Sequence, residues 1–204
     1  MATADQTSNV TSGSITLIQR GQRLFTAADV AAMPERLPSG DVRYELHHGR
    51  LVVMAPPGAT HGNLQSRFGA ALTTQGEQKG HGKAYTEVGT LLARNPDHLV
   101  GADVAFITNR SLPARETPEG YLETIPELVV EIRSKNDTAA EIKDKAADHV
   151  RYGVQLVWIV DPEPELVIEH RRNATPKTYK KADILTCEDI IPGFQLPLAE
   201  FFRP

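Results

Sequence analysis

The strongest constraint in this sequence is a set of short segments that are apolar almost throughout, HLVGADVAFIT, ELVVEIR and VQLVWIVDP. Each is too short to cross a bilayer. Each places apolar side chains at both odd and even positions, so a strand built from it must be covered on both faces. Helices packed on the two sides of a sheet meet that need, and the remaining sequence supplies them. FTAADVAAMPE offers Thr26 as an N-cap ahead of apolar residues at helical spacing. THGNLQSRFGAALTTQGEQKG predicts a longer helix, with Leu64, Phe68, Ala71 and Leu72 on one stripe and glycine-rich punctuation at its end. Thr138 and Glu141 fit a capping box for a third helix running to about Tyr152, with Ile142, Ala146, His149 and Val150 facing inward.

Other segments read as strands. VRYELHHGRLVVMAPP alternates on both sides of His48-Gly49, as a β-hairpin does, and Pro56-Pro57 stop it. AYTEVGTLLAR adds another strand, and the C-terminal stretch from ELVIEH onward predicts hairpins followed by a short apolar anchor. The connection at 108–126 is polar, holds three prolines, and has the length of a functional or mobile loop. The fold class expected is α/β in the mixed sense (α+β): one central mixed β-sheet flanked by helices.

A chain of 204 residues is ample for one core. The expected organisation is a single domain over 21–204 behind a flexible tail over 1–20. The tail begins MATADQTSNVTSGS, without the basic and apolar regions of a signal peptide, which predicts a cytoplasmic protein. No membrane association is expected. The one cysteine, Cys187, excludes an internal disulfide and a Cys-based zinc site, and acidic neighbours leave its thiol unactivated. The formal charge of −4 disfavours a non-specific nucleic-acid coat but allows a local basic track.

Two of the doubly apolar strands each carry one carboxylate, Asp103 and Glu131. An unpaired charge there costs several kcal/mol, roughly as other buried ions do, so a basic side chain or a metal ion must compensate it. A divalent ion such as Mg²⁺ takes oxygens from one or two carboxylates and keeps several waters. Asp103 and Glu131 would then be ligands, with a strand carbonyl such as that of Ile132 completing the protein share. The alternative is that both acids lie at strand ends, bonded to loop amides or paired with Arg133. Lys145 falls beside the inward stripe of the third helix, near the end of the Glu131 strand, where it can hold or deprotonate a metal-bound water or stabilise a developing oxyanion. Its alternative is a surface pair with Glu141. Glu45 alternates with Tyr44 and Leu46, facing either solvent or the site, and His61 opens the second helix as either a capping neighbour or a cleft residue.

In order along the chain, YELHHGRLVVM, PPGATHGNLQSRF, GADVAFI, PELVVEIRSKND, EIKDKAADHVRYGV, VWIVDP and IPGF resemble the Uma-type family of putative restriction endonucleases, within the PD-(D/E)XK nuclease superfamily. The resemblance covers residues 24–202 and implies a restriction-endonuclease-like core. By position, the family's acid pair falls on Asp103 and Glu131, its initial glutamate on Glu45 and its helix lysine on Lys145. Arg133 stands where the superfamily usually has a lysine, Glu141 where an aspartate is usual, Ala102 where a proline is usual, and RSKND where Ser-Pro-Ser is usual.

The resemblance implies a Mg²⁺- or Mn²⁺-dependent endonuclease acting on DNA, and a homodimer. Glu45, Asp103, Glu131 and Lys145 would be its catalytic set, and Glu45 would hold a second ion or steady the site through water. The basic segment HRRNATPKTYKK supplies Arg171, Arg172, Lys177, Lys180 and Lys181 as candidate phosphate contacts or as a plain solvated hairpin, and His61 and Arg133 are further candidate DNA contacts. A guanidinium does not readily release a proton, so Arg133 is expected to pair with phosphate or an acid. The rival readings are a non-cleaving nucleic-acid-binding or interaction module and a hydrolase of some other phosphate ester.

Overall fold

The structure, a computed structural model, describes residues 9–11, 14–16, 23–112, 120–135 and 137–203. The rest of the expected tail, and residues 113–119 of the 108–126 connection, lie outside the described residues. The elements in chain order are β1 (Asn9–Thr11), β2 (Ser14–Thr16), α1 (Ala27–Ala31), β3 (Arg36–Leu37), β4 (Gly40–Asp41), β5 (Arg43–His47), β6 (Arg50–Met54) and α2 (Ala59–Leu72), which runs on into a π-helical turn (Thr73–Glu77). Then come β7 (Gly82–Ala93), β8 (His98–Thr108), β9 (Leu128–Ile132), α3 (Ala139–Arg151), β10 (Leu156–Asp161), β11 (Leu166–Arg171), β12 (Lys177–Lys180), β13 (Ile184–Leu185), β14 (Leu196–Pro197) and α4 (Leu198–Phe201).

The local signals explain these boundaries. Thr26 and Thr138 each accept from the backbone N–H three residues on, and Asp29 and Glu141 reach back to close both capping boxes. The β5–β6 turn puts His48 and Gly49 in the left-handed region, at φ 54° and 76°. A Cβ on Gly49 would also lie 2.7 Å from that of Leu24, so this corner needs glycine.

Ten strands form one mixed sheet in the order β1-β2-β6-β5-β8-β9-β10-β11-β12, with β7 on β8. Among the described strands, β9 and β10 are the pair that runs parallel, and α3 connects them. One face packs Leu128, Val130, Leu156 and Trp158 against Leu64, Phe68 and Leu72 of α2 and the C-terminal Phe201 and Phe202. The other packs Val129, Val157 and Ile159 against Ile142, Ala146 and Val150 of α3. The architecture is thus the mixed sheet flanked by helices that the sequence predicts.

The feature that positions the site is a break in pairing along β8. One edge of β8 is taken by β7 over nearly its whole length. The other is shared by two strands from distant parts of the chain, β5 at Leu99 and β9 at Val104–Phe106. Between them the edge at Gly101–Asp103 is left to side chains, and there a cleft of about 1040 Å³ opens.

Candidate active site

Three carboxylates meet beside this break. Glu45 of β5 is 4% exposed, and its Oε1 accepts from the Gly101 N–H at 2.8 Å. Asp103 of β8 accepts from the Ile132 N–H at 2.7 Å. Glu131 of β9 is 2% exposed, on the α3 side of the sheet with Val129. Two of the acids therefore satisfy backbone amides that strand pairing would otherwise have used, which is why charges persist inside an apolar sheet.

Each acid also has a histidine partner. His47 donates to Glu45 at 2.9 Å, His61 of α2 lies 3.0 Å from Asp103, and His149 of α3 donates to Glu131 Oε1 at 2.8 Å. Lys145 stands over the group, its Nζ 2.5 Å from Glu131 Oε2. Lys145 thus takes Oε2 of Glu131 as an ion pair while His149 takes Oε1. Glu141, the surface partner considered for Lys145, is turned back onto Thr138 instead.

The electrostatics follow from this crowding. Burial opposes charge on Lys145, but Glu131, Glu45 and Asp103 outweigh it and raise its pKa above the ordinary lysine value. Burial acts to raise the pKa of Glu45, yet the His47 bond and the charge of Lys145 hold it at about 2. Asp103 is lowered for the same kind of reason, with His61 and Lys145 overcoming burial. His61 is in turn raised, because its bond to Asp103 and the nearby negative charges outweigh its own desolvation.

The cleft is lined by Glu45, His61, Asp103, Ile132 and Lys145, while Glu131 lies beneath Lys145. Its acidic lining residues are Glu35, Asp41, Glu45, Glu87, Asp103 and Asp137, and its basic ones are Arg36, Arg43, Lys135 and Lys145. With six carboxylates against four cations, the lining attracts positive charge. Glu87 lies opposite Asp103 on β7, where the ladder skips from Thr86 to Val88. Its left-handed backbone, φ 55°, costs about 1–3 kcal/mol, and its carboxylate pairs closely with Arg43.

Among the described residues, no group of three His, Cys, Asp or Glu side chains is already arranged to hold a metal. The donors nevertheless fit a hard divalent ion. They are buried carboxylate oxygens gathered from three strands, and an ammonium already occupies the place of positive charge. Glu131 would reach such an ion only with Lys145 displaced from Oε2.

The other candidate residues lie apart from this centre. Arg133 pairs with Asp161 at 2.6 Å and bonds the Asp137 carbonyl, tying the loop after β9 to the end of β10. The basic segment is the β11–β12 hairpin at the sheet edge, and none of its residues lines the cleft. Arg171 is held by Glu169 and by both oxygens of Asp189, and Lys181 by Glu165. Lys177 lies over the Tyr179 ring, 4.2 Å from its centroid. Arg172 and Lys180 are exposed without an ion pair among the described residues.

The sequence reading did not single out His47, and it treated His149 as a packing residue. The available signals were spacing: His47 is two residues after Glu45 on a strand, and His149 four after Lys145 on a helix.

This sheet order, with one parallel pair bridged by a helix, defines a restriction-endonuclease-like fold. It is shared with the crystal structure of a putative nuclease belonging to DUF820 from Anabaena variabilis. The TM-score is 0.74 and the identity 16%, over 87% of this chain and 97% of that one. The chain belongs to the Uma2 family, described as putative restriction endonuclease, which it matches over residues 30–199. No curated protein matches it. Among the described residues, no helix is long and apolar enough to cross a membrane.

Proposed function

We propose that this chain is a metal-dependent endonuclease that hydrolyses DNA phosphodiester bonds. The observation that carries the reading is the gathering of three buried carboxylates, from three strands, around Lys145 at the foot of an acid-lined cleft in a member of this family. Asp103 and Glu131 would hold Mg²⁺ or Mn²⁺, with the Ile132 carbonyl as a further oxygen and Glu45 holding a second ion or a bridging water. The bound ion supplies polarisation of the scissile phosphate and a lowered pKa for bound water. Lys145, kept charged by the three acids, acts as a cation: it orients the water and offsets the negative charge that grows on the phosphoryl oxygens. In that state it is not the base. His61 and His47 keep Asp103 and Glu45 in place at the cleft wall. In the β11–β12 hairpin, Arg172 and Lys180 are the residues best able to meet outlying phosphates, because Arg171 and Lys181 are already neutralised. The reading includes a cytoplasmic homodimer, which sedimentation tests against the 22.4 kDa of one chain.

The deciding experiment is nicking of supercoiled plasmid with Mg²⁺ or Mn²⁺ by the wild type, Glu131→Ala and Lys145→Ala. Each substitution is expected to slow cleavage by roughly 10²-fold or more, the scale of losing one preorganised electrostatic group. Absent cleavage by the wild type, or equal cleavage by all three, would refute the assignment and leave a non-cleaving binding module. Faster hydrolysis of a small phosphodiester than of DNA would move the substrate to another phosphate ester.

A further inference from the structure

We infer that His149 is a positioning residue for Glu131, fixing Oε1 so that Oε2 stays aimed toward the cleft when Lys145 leaves it. The inference rests on the nuclease reading above. Lys145 and His149 are one helical turn apart on α3, and each takes one oxygen of the same carboxylate. The two contacts differ in kind. Lys145 has a long, flexible side chain, 35% exposed and lining the cleft, so an arriving ion or phosphate can draw it from Glu131. His149 is a short, rigid ring, 2% exposed, on the helix face packed against the sheet. Once Lys145 turns, it is what keeps the three torsions of Glu131 from swinging.

Packing alone does not account for an imidazole here. Its Nδ1 is buried with no hydrogen-bond partner, a desolvation cost that an apolar residue of similar size would not carry. The bond to Glu131 is what offsets that cost. His47 and His61 make the same kind of bond to the other two acids, but they are 49% and 13% exposed, whereas His149 is closed off from the cleft and acts only through Glu131.

Mn²⁺ binding by titration calorimetry and plasmid nicking, on the wild type, His149→Leu and His149→Gln, test this. Glutamine keeps an N–H donor near the position of Nε2; leucine keeps the bulk without a donor. The leucine variant is expected to lose roughly 10- to 100-fold in Mn²⁺ affinity and in kcat, as partners of metal ligands typically do, with KM for DNA unchanged and most of the loss restored by glutamine. Wild-type Mn²⁺ affinity in His149→Leu, or equal impairment of both variants, overturns the inference. Melting curves guard against misfolding, since a packing role would lower Tm without separating glutamine from leucine. A wild type that binds Mn²⁺ but leaves DNA intact sinks the nuclease reading, while the calorimetry still decides the role of His149. A wild type that takes up no Mn²⁺ overturns both.

Discussion

Glu45 shows at the scale of one residue how the fold keeps a charge indoors. Its carboxylate is held by one amide and one imidazole beside an ammonium, with a pKa of about 2. A group whose pKa is lower folded than unfolded adds stability that is present above the unfolded value, roughly 4.3 for glutamate. That share is lost as pH falls through the folded value. Asp103, also lowered, acts in the same sense. The raised pKa values of His47 and His61 act oppositely: their share is complete below roughly pH 6.5 and is lost as pH rises through the raised values. Tm is therefore expected to fall between about pH 4.3 and 2, with Glu45→Gln flattening that limb in melting curves followed by circular dichroism. An unchanged slope in the variant would refute this account of Glu45. Asp103 and Glu131 were legible in the sequence because charge inside a doubly covered strand demands an explanation. Glu45 was ambiguous there because one face of a hairpin strand is compatible with water, His61 because a helix start also suits a polar neighbour of the cap, and His149 was hidden because histidine on an inner face also fits plain packing.

Among the elements, α3 does most to set the site, since it carries both side chains that hold Glu131. Its start depends on Thr138 and Glu141, whose reciprocal bonds satisfy the first amides of the helix. Thr138→Ala is expected to cost about 1 kcal/mol in urea unfolding with an unchanged m-value. No measurable loss would mean that packing on the sheet alone sets the helix start. This capping box, the His48-Gly49 turn and the doubly apolar strands are local signals, and the structure follows them closely. The break along β8 is not local. It arises because β5 and β9, drawn from opposite halves of the chain, share one edge, and no window around residue 101 contains that fact. The left-handed kink at Glu87, inside a segment that reads as an ordinary strand, escaped for the same reason.

For the whole molecule, the C-terminus serves as a clamp on α2 and thereby on His61. Arg67 donates to the carbonyls of Phe201 and Arg203, and the Phe68 and Phe201 rings meet edge to face at 4.5 Å. Phe201→Ala is expected to lower stability by about 3–5 kcal/mol, as large-to-small changes in a packed core do, measured by urea denaturation. A loss below about 1 kcal/mol would show that the C-terminal turn is dispensable.

The acids come from β5, β8 and β9, and the lysine arrives only with α3, so long-range strand pairing must be complete before these groups meet. A chain still being synthesised, or one folded in the wrong register, has the residues but not the cluster they form. The cluster is thus a property of the finished fold, and no shorter segment of the chain contains it.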